Sequence, residues 1–180
     1  MKKENYLKIT AIIIFFCSKT LHSQDRVSFS LHQDSRLFLI GDNHGNSRGT
    51  LNLLARIKLQ GKQRKTGYFT LIPSYEQANL QNRYKRYSID IGYTFNRINL
   101  KNLNFTKNIE VSLSVGYGKI NHFSQNTYDW SSIGEIAYKF NDWLKFGIIN
   151  QLTERTDLFY KYKKNEIRFS SFFGIEISPF

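Results

Sequence analysis

Tyr87–Asn96 reads Tyr-Ser-Ile-Asp-Ile-Gly-Tyr-Thr-Phe-Asn, with an apolar or aromatic residue at every second position. Ile109–Gly118 repeats the pattern as Ile-Glu-Val-Ser-Leu-Ser-Val-Gly-Tyr-Gly. Successive strand side chains point to opposite faces, so each segment presents one greasy face and one of Ser, Thr, Gly and carboxylate. A soluble sandwich buries the greasy face. A transmembrane barrel turns it to lipid and encloses the polar one.

Six further segments alternate in the same way. They are Val27 to about Ile40 (with an irregular middle at Gln33–Arg36), Thr50–Gln60, Gly67–Glu76, Trp130–Phe140, Leu144–Thr153 and Ile167–Phe180. Pro73 lacks a ladder donor and predicts a bulge or a strand end. No window of comparable length has a helical period. Asn141-Asp142 reads as a tight hairpin and Gly61–Thr66 as a short turn, whereas Gly41–Gly49, Gln77–Lys85, Asn121–Asp129 and Glu154–Glu166 read as longer polar loops. Short periplasmic turns alternating with longer outer loops are a barrel pattern, from which Arg97–Asn108 departs by its length. Tyr87, Tyr93 and Phe95, and Trp130, Tyr138 and Phe140, fall on greasy faces where interfacial girdles belong.

The first residues have the composition of a secretory signal peptide. Lys2, Lys3 and Lys8 precede the apolar run Ile9–Cys17, and the polar stretch Ser18–Gln24 follows, with Ser23 as the expected last residue before cleavage. The run is about half of the ~20 residues a spanning helix needs. The expected domains are therefore a signal peptide over 1–23 and a barrel over 24–180. Cleavage removes Cys17, the only cysteine, along with four Lys and one Glu, so the net charge falls from +12 to +9. An exported chain with this excess points to lipopolysaccharide phosphate and not to nucleic acid. Fifteen Phe, eleven Tyr and two Trp, with only two Pro, form a strand-rich composition.

With these features the chain resembles the small eight-stranded outer-membrane β-barrels of Gram-negative bacteria. The signal peptide, the eight alternating segments of residues 27–180 and the terminal Phe180 carry the resemblance. It implies an all-β, closed antiparallel up-and-down barrel in the outer membrane, monomeric and without a cofactor. It also implies recognition of the terminal aromatic by the barrel-assembly machinery. Phe180 is out of phase with Ile177, Ile175 and Phe173, and Pro179 separates them.

An eight-stranded interior is just wide enough for side chains to fill, and enclosed charges must pair. The expected interior network is Arg56, Lys58, Asp90, Glu110, Glu135, Lys139, Lys145, Arg168 and Glu176. Gly116 and Gly118 make room for bulky inward neighbours and open no helix, so they form no phosphate loop. Asp25, Asp42 and His44 have no metal-ligand spacing. Lys161, Lys163 and Lys164, in the basic and aromatic stretch Arg155–Lys164, are the expected contacts for lipopolysaccharide phosphate.

Two other classes stay open. Ser124, His122 and Glu135 resemble the serine, base and orienting acid of outer-membrane lipid A deacylases. An exported soluble β-barrel that binds a small apolar ligand also fits the alternation. The main expectation is a non-enzymatic outer-membrane protein that serves envelope structure or surface recognition.

Overall fold

The computed structural model describes residues 26–42, 46–80, 83–95, 108–159, 163–164 and 166–178. The segment read as a signal peptide, Asp25, His44, most of Arg97–Asn108, Lys161 and Phe180 lie outside the described residues. Eight strands follow one another: β1 (Arg26–Asp34), β2 (Asn52–Gln60), β3 (Gly67–Ala78), β4 (Tyr84–Phe95), β5 (Ile109–His122), β6 (Gln125–Lys139), β7 (Leu144–Arg155) and β8 (Glu166–Ile177). Each pairs antiparallel with the next, and β8 pairs with β1, which closes the barrel.

The register fixes the barrel's shape. Val27, Leu59, Leu71, Ile91, Val115, Ser132, Leu152 and Phe169 are successive partners around the wall. Phe169 stands three positions past the Asp34↔Phe172 pair, level with Leu37, so one circuit climbs ten residues along β1. That stagger in eight strands corresponds to a strand tilt of about 40° and an interior that side chains can fill.

The face assignments agree with the alternation: Arg56, Asp90, Glu135 and Glu176 are buried, while Ile57, Ile89, Ile91 and Ile136 are exposed. Four details differ. The first segment is strand only as far as Asp34; beyond it Ser35–Leu39 forms a short helix, α1, started by Asp34, whose Oδ1 accepts the Leu37 amide at 3.0 Å. Pro73 is neither a bulge nor a strand end. β3 runs through it in an unbroken register with β4, and only the two pairs opposite Ile57 and Lys58 are missing from the ladder with β2.

Asn121–Asp129 is not a long loop. β5 and β6 continue through it to a two-residue hairpin, Phe123-Ser124, with φ of 50° and 59°. Two left-handed residues match the twist of the flanking strands. Finally, several strands begin or end beyond their sequence limits at the end of the barrel away from the chain termini. There the outward residues turn polar (Lys85, Lys119, Asn121), so the alternation fades while the hydrogen-bonded ladder continues.

Candidate functional site

The lumen is layered. Lys58 Nζ donates to Glu135 Oε1 (3.1 Å) and Glu176 Oε2 (2.7 Å), and Arg56 Nη1 donates to Glu135 Oε2 (3.0 Å). Lys145 Nζ joins Glu176 Oε1 (3.1 Å) to Glu110 Oε2 (2.7 Å), which also accepts from Tyr68. Three cations thus meet three carboxylates in the half of the barrel nearer the chain termini. His32, buried over Gly147 and Gly174, faces this chain of charges.

One inward step up β2 and β6, and two up β7 and β8 past Gly147 and Gly174, lies an apolar cluster of Leu54, Ile133, Ile149 and Phe172. Above it the polar groups resume. Asn52 donates to Asp34 and Glu76, Gln151 to Glu76, and Arg86 to Asp129, Ser88 and Ser131. Leu37 of α1 packs with Ala78, Leu80, Tyr84 and Ile120 at the mouth.

At that mouth Arg155 grips Asp157 through Nε and Nη2, both at 2.7 Å, and stacks over Tyr84. His122 Nδ1 donates to Asp157 Oδ2 at 2.7 Å. Burial by itself would raise the Asp157 carboxyl. The hydrogen bonds from Arg155 and His122, and the Arg155 charge, outweigh it and hold the group below the ordinary carboxylate range.

Six of the nine expected network residues form one connected chain: Arg56, Lys58, Glu110, Glu135, Lys145 and Glu176. Three stand apart. Asp90 is buried but accepts from Ser74 Oγ (2.9 Å), with no ion pair among the described residues. Arg168 pairs with Asp34 in the upper layer. Lys139, at the last residue of β6, leaves the lumen for Asp142 in the adjoining turn. The serine, histidine and acid do not assemble: Glu135 is held by Arg56 and Lys58, His122 by Asp157, and Ser124 is exposed at the hairpin tip. Lys163 and Lys164 are exposed, with Lys163 over the Phe159 ring.

The sequence reading missed Arg86, Asp129, Arg155 and Asp157. They sit at strand ends or in segments assigned to loops. The one available signal was parity, since Arg86 and Asp129 lie an even number of positions from Asp90 and Glu135.

The exterior is the reverse of a soluble protein's. Ile89, Ile91, Leu113, Val115, Ile136 and Ile148 are all exposed. Tyr87, Tyr117, Tyr128 and Trp130 cluster toward one end of this band, and Phe69, Tyr93, Phe95 and Tyr138 toward the other. Tyr87 and Phe95 are eight residues apart on β4, so a rise of 3.3 Å and the tilt separate the girdles by about 20 Å, close to the height of a barrel's apolar band. Aromatic girdles around an apolar belt, over a lumen of paired charges, define a small outer-membrane-type β-barrel.

Among solved structures the chain is similar to the outer membrane protein Ail of Yersinia pestis. The identity is 12% and the TM-score 0.51, over 85% of this chain and 98% of that one. It is also similar to Neisserial surface protein A, at 7% identity and a TM-score of 0.46, over 84% of this chain and 94% of that one. No family model matches the sequence. No curated protein matches it either.

Proposed function

We propose that this protein is a non-enzymatic outer-membrane barrel without a through-pore, which holds its loop-bearing end at the cell surface for recognition. The observation that carries this reading is the apolar cluster of Leu54, Ile133, Ile149 and Phe172 between two polar layers. That cluster fills the β2 and β6–β8 side of the lumen at mid-height, the hydrogen-bonded Ser74 and Asp90 occupy the side opposite, and the charges below are already neutralised pairwise. An exported chain with an even strand count keeps both ends in the periplasm, so α1, the Phe123-Ser124 hairpin and the segment around Lys163 face outwards. On this reading the exposed Arg48, Arg83, Lys119, Lys163 and Lys164, together with Lys161, meet lipopolysaccharide phosphates, and that contact weakens with salt.

Three measurements test it. Protein reconstituted in planar bilayers should give no steady conductance; a stable ohmic step would overturn the closed lumen. An epitope tag after Lys163 should label on intact cells, and one between Asn141 and Asp142 should not; the opposite result would invert the topology. Lipid A should have the same mass spectrum from cells with and without the protein. Loss of an acyl chain would restore the hydrolase reading.

A further inference from the structure

The lipid-facing band is apolar on half of the barrel and interrupted on the other half. From β2 to β5 its outward residues are apolar or aromatic throughout, as in Leu53, Ala55 and Ile57 or Tyr87, Ile89 and Ile91. On the four adjacent strands β6, β7, β8 and β1 the outward positions at one level are Ser132, Asn150, Ser171 and Gln33. Asn150 pairs with Gly134 on one side and Ser171 on the other. This row is not the upper edge of the band, because exposed apolar residues flank it in both directions. On β7 Asn150 lies between Ile148 and Leu152, 47% exposed each, and on β8 Ser171 lies between Phe169 and Phe173.

The Asn150 side chain is exposed and has no partner among the described residues. Hydrocarbon offers an amide neither donor nor acceptor, so an amide at this depth costs free energy until something pairs with it. A lipid headgroup would have to sink past Leu152 to reach it. A carboxamide both donates and accepts, and the group that satisfies it fully in one contact is another carboxamide. Gly134, Ser132 and Ser171 keep the surrounding wall low, which lets a second wall approach, as small residues do between membrane helices. A twofold axis through this face would set one Asn150 against the other.

Resting on the bilayer placement proposed above, we infer that a second copy of this chain packs against the β6–β7–β8 face, with Asn150 paired to Asn150 across a twofold axis. This departs from the monomer expected from sequence.

The test uses the full chain with Cys17→Ser, in isolated outer membranes and in detergent micelles. Asn150→Cys should form a disulfide-linked dimer on mild oxidation, whereas Ile91→Cys, three strands away, should not. Asn150→Leu should weaken association about tenfold by sedimentation equilibrium, the loss expected for the two reciprocal interchain hydrogen bonds of a carboxamide pair in a membrane, and keep its heat-modifiable gel migration. Equal cross-linking at both positions, unchanged association of Asn150→Leu, or a cross-link to a different protein would overturn the inference. A protein absent from the membrane fraction would overturn the bilayer placement with it. A protein that inserts but stays monomeric would overturn only this inference.

Discussion

Arg86 on β4 and Asp129 on β6 meet at 2.6 Å across the width of β5, the strand that separates them. They can do so because β5 carries Gly118 where a side chain would stand. A Cβ built there would lie 2.8 Å from Asp129 Oδ1, 2.9 Å from Ser88 Cβ and 3.0 Å from the Tyr87 carbonyl oxygen. Gly116 clears the same path for Asp90 one step lower, where a Cβ would collide with the carboxylate.

Gly118→Val is therefore expected to destabilise the barrel by about 1–3 kcal/mol, the usual range for overpacking a filled interior. Urea titrations in lipid vesicles give the value. A neutral result would mean that the Arg86–Asp129 contact is not held by this opening.

Glu135 accepts from both Arg56 and Lys58 with 2% of its side chain exposed. Glu135→Gln leaves three cations facing two carboxylates and should cost about 3–5 kcal/mol, as breaking a buried pair does. Adding Lys58→Met restores the charge balance of the lower layer. The double variant should therefore be more stable than the sum of the two single losses, by an amount a double-mutant cycle reads directly. Additive losses would show that the residues act independently.

The period-2 pattern made the wall legible, because which face a residue takes depends only on its own strand. Strand number, the direction of Ile91 and the enclosure of Glu135 followed from it. The pairings inside did not, because Lys58 and Glu176 become neighbours only when β8 closes on β1 with its ten-residue stagger. The Phe123-Ser124 hairpin was hidden because neither residue is the Gly or Asn that normally marks left-handed turns. Lys139 has the parity of the lumen. Only its place at the strand end, beside Asp142, takes it out.

Ile91 is 61% exposed in the middle of the apolar band, while Asp90 beside it is buried. Ile91→Arg should cost about 2–4 kcal/mol in vesicles, the range for a cation near the bilayer midplane. Asp90→Asn keeps an acceptor for Ser74 and should cost much less. A harmless Ile91→Arg would reverse the inside and outside of the wall.

The mouth capped by α1 should loosen in acid through Asp157. Its carboxyl is held below the 3.8 of an unperturbed aspartate by Arg155 and His122. A group with a depressed folded value contributes stability that is fully present above its unfolded value and is lost as pH falls through the folded one. The loss should therefore begin near pH 4 and deepen with further acidification. Asp157→Asn cannot titrate, so it should lack this contribution at neutral pH and converge with the parent protein in acid. Hydrogen exchange at Arg155 to Leu158, compared at pH 6 and pH 3, is the local readout. The parent should exchange faster at pH 3 after correction for intrinsic rates, while the variant should change less. If both respond equally to acid, the mouth is closed by the apolar cap of Leu37, Leu80 and Ile120 and not by the Asp157 contacts.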